Sequence, residues 1–402
     1  NDLVELNSLQ RRLEVARSEQ TRHPDRANTK KSVVKLQKEL KTVRDSLGQR
    51  APQLGEFLSY LPQSNVEVIE RLRRLAKRLA ERKSSRGENK KTIYVTYYHT
   101  GSQLLIWTLK GSDLNMVSVA RSEKGLRGDI EIFRRQMLGF HPIKASARRL
   151  YRLVLKPVAH RLDSNDVVII PYGALHTVPF AALHDGKDYL SKRYAFRYGS
   201  SFSAFAKEPA SLTAEPNYLS VGWAGKTNDI PMAEKEAENF KTVYADATLL
   251  LGEDAKRNDF LAAVTKASLV HIATHAHYLE NAPLSSSLEL ADGPLELTDI
   301  LQLKLNGPLV VISACETGKG LLDGAHGTVS FQRAFLAAGA SALLSSLWRV
   351  NDLGSALLMK YFFRELKEGQ HAAVALQNAQ NELRKRYAHP AFWAAFRLDD
   401  LR

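Results

Sequence analysis

The feature that most limits how this chain can fold is an alternation beginning near Asn217. Short apolar segments, "YLSVGWA", "TLLLGEDA", "LVHIATHA", "PLVVISAC" and "ALLSSLW", are interleaved with the amphipathic stretches "MAEKEAENFKTVYA", "AKRNDFLAAVTKA" and "TVSFQRAFLAAG". Strands with apolar residues on both faces, separated by helices, belong to a parallel sheet covered on both sides. In such sheets ligands collect beyond the carboxyl ends of the strands. Two chemically active residues fall there, His275 at the end of "LVHIATHA" and Cys315 at the end of "PLVVISAC".

Upstream, the period is two. "TIYVTYYHTGSQLLIWTLKGSDLNMVSVA" reads as two or three strands turning at Thr100-Gly101 and Gly111-Ser112, with helices expected over about 125–138 and 144–156. "DVVIIPYGALHTVPFAAL" reads as a buried strand entering a Pro/Gly turn, so this region forms a first α/β half. The chain opens with helical patterns: two short helices before Gly48 and a charged one over 65–84. The expected division is a basic helical region at 1–88, a first α/β half at 89–215 and a second at 216–402. Because the chain starts on Asn1 inside a helical pattern, a fragment of a longer protein is expected.

Cys315 is the only cysteine, which excludes an intramolecular disulfide and zinc sites built on several thiolates, and fits a reducing, cytoplasmic setting. No apolar run is long enough to span a membrane. His271, His275 and His277 lie at i, i+4 and i+6, a spacing that does not converge on a strand, so neither metal nor cofactor is expected. His271 shares a side with His275 by strand alternation and reads as a core residue; His277 reads as lining the site.

A cysteine nucleophile needs a base to take its thiol proton and return it to the leaving amine. Cys315 and His275 on neighbouring parallel strands, about 4.8 Å apart, meet that need. The backbone N–H groups of Cys315 and Ala276 are the candidate oxyanion donors. The bland alternative is a buried, inert thiol.

With these residues in view, "HIATHA", "SACETG", "FLAAGASALLSSLWRVND", "HPAFWAAFRL" and the upstream "PYGALHTVPFAALHDGKDYLSKRYAFRYGSS" resemble the CHAT family, a caspase-like domain often attached to helical TPR repeats. The resemblance covers roughly 90–402. It implies an α/β, caspase-like three-layer fold with a mostly parallel central sheet: a pseudo-caspase half, then a catalytic half, preceded by N-terminal helices. It implies His275 as general base and Cys315 as nucleophile, with Ala276 where members often carry glycine. "SLWRVND" is similar to a separase strand end, which makes Asp352 a pocket carboxylate favouring Arg or Lys, or else the N-cap of the next helix. Trp348 is then a pocket wall or a packing residue, and Glu316, beside the thiol, a further substrate contact. Arg349 should point away from that side.

The resemblance implies a cysteine endopeptidase acting on a protein substrate, regulated by its N-terminal helices or by a partner, in bacterial defence or signalling. A regulatory protein or an RNA-guided effector complex is among the implied partners. The competing reading starts from charge. Residues 1–150 carry 31 Lys+Arg against 16 Asp+Glu, and 151–402 carry 26 against 27. That asymmetry suits a non-catalytic adaptor binding an acidic partner or nucleic acid through its basic N-terminal region. Three further expectations concern loops and ends. "GLLDGAHGTVS" is read as a mobile loop beside the nucleophile, 277–293 as a long lid or binding loop, and "HPAFWAAFRL" as closing the sheet edge. His326 and His389 are read as structural.

Overall fold

The computed structural model describes residues 5, 8–9, 12, 16, 19, 27–50, 92–199, 216–227, 230–277, 279, 283–314, 331–350 and 352–400. The expected helix over 65–84 and the glycine-rich loop at 320–330, with His326, lie outside the described residues.

The elements follow in chain order. Helix α1 (Ala27–Arg50) precedes the strands β1 (Ile93–His99), β2 (Gln103–Lys110) and β3 (Asp113–Ala120), then α2 (Glu123–Leu138), α3 (Lys144–Val154), β4 (Asp166–Ile170) and β5 (Ala195–Tyr198). The second half runs β6 (Tyr218–Gly222), α4 (Met232–Val243), β7 (Thr248–Leu251), α5 (Arg257–Val264), β8 (Leu269–Ala273), β9 (Ala276–His277), β10 (Ser287–Leu290), β11 (Gly293–Glu296), α6 (Leu297–Gln302) and β12 (Leu309–Ser313). It ends with α7 (Phe331–Ala337), β13 (Ala342–Ser346), α8 (Asp352–Lys367), α9 (Ala372–Arg386) and β14 (Phe396–Asp400).

Eleven strands form one sheet in the order β3-β2-β1-β4-β5-β14-β13-β12-β8-β6-β7. Both hairpins between β1 and β3 are antiparallel and turn on Gly101 (φ 89°) and Gly111 (φ 62°), as the turn residues require. Every other pairing is parallel except β13 with β14. The sheet is therefore mostly parallel, with helices on its faces. In the second half β6 lies between β7 and β8, followed by β12 and β13. Strand order reverses between β6 and β8, which makes their carboxyl ends the switch point where such sheets open a crevice.

Alternation along β8 shows how the layers form. Val270 and Ile272 face a core with Phe260, Leu297 and Phe335, whereas His271 faces Phe240 and Phe363. Phe240, Phe260, Phe335 and Phe363 are at most 2% exposed, each contributing on the order of 1.5–3 kcal/mol by burial. Helix α1 packs Val33, Leu36 and Leu40, at i, i+3 and i+7, into the same core cluster as the second-half strands, together with Leu9 and Ala16. Its lysines Lys31, Lys35, Lys38 and Lys41 stay exposed.

Two expectations are corrected. The C-terminal segment does not close an edge: β14 lies in the interior of the sheet, between β5 and β13. Its polar residues Arg397 and Asp399 are each 2% exposed. They pair with one another. Arg397 Nη2 donates to Asp399 Oδ1 at 2.6 Å, Nη1 donates to His176 O at 3.0 Å, and the guanidinium lies 4.3 Å from the Tyr198 ring centre. Nor is 277–293 an unstructured lid. Residues within it form β10 and begin β11, a hairpin that continues through Gly293, with φ 140°, and pairs β10 with β9.

Candidate functional site

At the switch point, β8 hands its chain to a short segment held by its neighbours. Trp223 N–H donates to Ala273 O at 3.0 Å, extending the ladder from β6 by one residue. Thr274, fully buried, donates from Oγ1 to Glu289 O at 2.6 Å, and Glu289 N–H donates to His275 O at 2.9 Å. The backbone of one β10 residue thus fixes both Thr274 and His275.

The His275 imidazole is then located by glycine. Gly225, in the loop after β6, has φ +82°, and a β-carbon there would lie 3.0 Å from His275 Cδ2 and 3.1 Å from Nε2. A side chain at 225 would have to displace the ring. The His277 ring lies 6.4 Å away, and its Nε2 is 3.3 Å from Glu289 Oε2. His275 Nε2 is buried and has no hydrogen-bond partner among the described residues. A buried polar atom without a partner calls for an explanation.

In an antiparallel ladder, hydrogen-bonded and non-bonded pairs alternate. The Glu289 to His275 bond makes that pair a bonded one, so Ala276, opposite Leu288, turns its N–H away from β10 toward the open edge of the β11-β10-β9 sheet.

Beside β8, strand β12 is held in parallel register from Leu309↔Leu269 through Ser313↔Ala273. The residue after it, Ala314, is anchored by Ser346, whose Oγ donates to Ala314 O at 2.8 Å. Cys315 and Glu316 follow and lie outside the described residues. Helix α8 begins at Asp352, whose side chain also lies outside them. Trp348 is 5% exposed and donates its indole N–H to Ala391 O at 3.1 Å. Arg349 is exposed.

A small cleft opens at these strand ends, lined among others by Ala273, Ser313, Ser346, Glu236, Val350 and Ser355. Among the described lining residues Glu236 is the one carboxylate. It is 5% exposed, with Oε1 2.8 Å from His271 Nε2, while His271 Nδ1 is 2.9 Å from Ser220 Oγ. His271, fully buried, is therefore a core residue, as alternation predicts. Among the described residues no group of three metal-ligating side chains converges, and no helix is long and apolar enough to cross a membrane. Sequence reasoning missed Gly225, Thr274, Glu289 and Ser346. The glycine and Thr274 sit beside the motif, but the contacts of Glu289 and Ser346 depend on strand order.

The comparisons with known proteins agree with this architecture. Human tetratricopeptide repeat protein 28 is 25% identical over an alignment covering 63% of this chain and 13% of that protein, and the mouse protein is 26% identical over the same shares. The chain thus spans a small part of the length of these curated relatives. The separase–securin complex of Saccharomyces cerevisiae contains a chain that superposes with a TM-score of 0.55 at 10% identity, covering 94% of this chain and 34% of that one. At that identity the likeness is one of fold, and it accords with the caspase-like arrangement of the sheet. The CHAT domain matches residues 144–399, nearly two thirds of the sequence, and the chain belongs to the CHAT domain family.

Proposed function

We propose that this chain is a cysteine endopeptidase in which Cys315 is the nucleophile and His275 the general base. The observation that carries the reading is a matching offset. β8 and β12 pair with a constant difference of 40 residues, up to Ser313↔Ala273. Cys315 and His275 also differ by 40, each two residues beyond that last pair. Carried two residues past Ser313↔Ala273, that register would set the thiol of Cys315 level with the imidazole of His275, whose Nε2 is buried without a described partner.

The chemistry follows. His275 Nε2 takes the proton from the Cys315 thiol, and the sulfur attacks the substrate carbonyl carbon. Negative charge collects on the carbonyl oxygen, opposite the N–H groups of Ala276 and Cys315. The intermediate collapses, the C–N bond breaks, and His275 returns the proton to the departing amine. Water, deprotonated by the same imidazole, then releases the acyl group from sulfur. Alanine at 276 supplies the same N–H that glycine would.

In this reading Glu236, and Asp352 at the start of α8, give the cleft an acidic character that favours a basic side chain before the cut, Trp348 packs behind that wall, and Glu316 contacts substrate. The helical region at 1–88 regulates the two α/β halves, divided near 215. A role in bacterial defence or signalling, with a regulatory protein or RNA-guided effector as partner, enters through the family resemblance alone.

The adaptor reading draws on a different observation, the four exposed lysines on α1. One experiment separates the two: cleavage of a peptide library by the wild type beside Cys315→Ala and His275→Ala. Cuts present in the wild type and lost in both variants are the expected result, and their pattern reports the pocket preference. Cuts that persist in either pure variant sink the assignment.

A further inference from the structure

Strand β9 begins one residue past His275, and among the described residues it is the outermost strand of its sheet. Ala276, half-buried, stands opposite Leu288 as a non-bonded pair. Its C=O therefore faces the open edge together with its N–H. The inner side of the segment is held in place. Glu289 N–H donates to His275 O at 2.9 Å, and Leu279 N–H donates to Ser286 Oγ at 3.0 Å. An edge fixed in this way is a template to which an extended chain can add.

The occupant follows from the reading of Ala276 as an oxyanion donor, on which this inference rests. An N–H that meets the carbonyl at the cut brings the substrate main chain to this edge. Strand direction then decides what the Ala276 C=O meets. In an antiparallel addition Ala276 exchanges both bonds with one residue, the one before the cut, and the two turn their side chains to the same face. That face is core, because Ala276 packs against the cluster containing Val270, Ile272 and Leu288. The cleft lies on the other face, where Ala273 packs with Ile230 and Ala233 and all three line it. The residue before the cut would then point away from the cleft. A parallel addition removes the conflict. In it, Ala276 bonds two residues of the neighbouring chain, two positions apart. They are the carbonyl before the cut and the N–H of the second residue after it. The residue before the cut stands one step off the level of Ala276, so its side chain turns to the cleft.

We propose that the substrate adds to β9 as a parallel strand, with the Ala276 C=O accepting a hydrogen bond from the N–H of the second residue after the cut. The site thereby recognises extended main chain on the leaving side, whatever side chains it carries. It favours exposed linkers over helices, whose N–H groups are already bonded, and it rejects proline at that second position, where no N–H exists.

The test changes single atoms of the substrate and leaves the protein whole. The probe is an internally quenched peptide, Ala-Ala-Arg followed by three alanines, or the best-cut library peptide trimmed to the same length. Mass spectrometry identifies the bond cut. Exchanging the N–H of the second residue after the cut for an ester oxygen removes the donor with little change of shape, and should lower kcat/KM about tenfold. The same exchange at the third residue, whose N–H points away from β9 in a parallel strand, should change it less than about twofold. Equal rates for amide and ester at the second residue overturn the proposal, and so do equal losses at the second and third. A rate per chain that falls as protein concentration rises also overturns it, by giving the edge to a second copy. If no peptide is cut, the protease reading fails and the pairing falls with it, whereas cuts indifferent to the ester overturn the pairing alone.

Discussion

Each half of the sheet places a histidine beyond the carboxyl end of a parallel strand, His176 after β4 and His275 after β8. Each ring has a buried nitrogen with no partner among the described residues, Nδ1 of His176 and Nε2 of His275. Their surroundings differ. His176, half-buried like His275, sits in a turn whose Leu175, Val178 and Phe180 are each at most 1% exposed, and desolvation together with the nearby Arg397 and Arg333 guanidiniums pushes it well below the ordinary imidazole range. His275 is half-buried at the switch point, against Gly225 and beside a cleft. Parallel strands alone do not make a site. An imidazole becomes useful where strand order opens a crevice and the neighbouring backbone yields room for a second reactant.

The largest test of this contrast lies within one strand. His275→Ala should lower peptide cleavage by about 10³-fold or more with little change in stability. His271→Ala, four residues earlier, should instead destabilise the fold by about 3–5 kcal/mol in urea, because the Glu236 carboxylate is left buried without its partner. Similar losses of stability in both variants would erase the distinction between site and core. Gly225→Ala probes the room given to the imidazole. Displacing the ring by a few tenths of an ångström or more should cost about 10–100-fold in kcat/KM with the chain still folded, and wild-type activity would show that the close approach is incidental. The smallest effect concerns His176. Its folded-state proton affinity is depressed, so its contribution to stability is present above the unfolded value of about 6.5 and lost as pH falls below it. Between pH 6.5 and 5 the wild type should lose about 1–2 kcal/mol more than His176→Asn. Parallel pH curves would show that protonation of His176 does not bear on folding.

The alternation from Asn217 onward announces the parallel sheet because β-branched strands covered on both faces must be apolar throughout. It also brings His275 and Cys315 into view, since a polar residue that ends an apolar run marks a strand's carboxyl end. Strand order is not written locally. Nothing near "LVHIATHA" says that β6 lies beside β8, so the approach of Gly225 to His275 was out of reach. The Ser346 anchor on Ala314 depends on β13 lying beside β12, and the Glu289 clamp on β10 folding back against β9. The segment 277–293 looked like a loop because its strands are four residues or shorter. "HPAFWAAFRL" reads as an edge segment for a similar reason: nothing local says that β14 lies between β5 and β13.

The position of β14 bears on how the molecule is made. This strand comes last among those described, yet it fills the middle of the sheet. During synthesis at about 5–20 residues per second, β5 and β13 leave the ribosome long before the strand that joins them. Until residues 396–400 emerge, each half presents a naked, hydrogen-bond-hungry edge of the kind that recruits other chains. Pairing of β14 with both β5 and β13 is what joins the two α/β halves in one sheet.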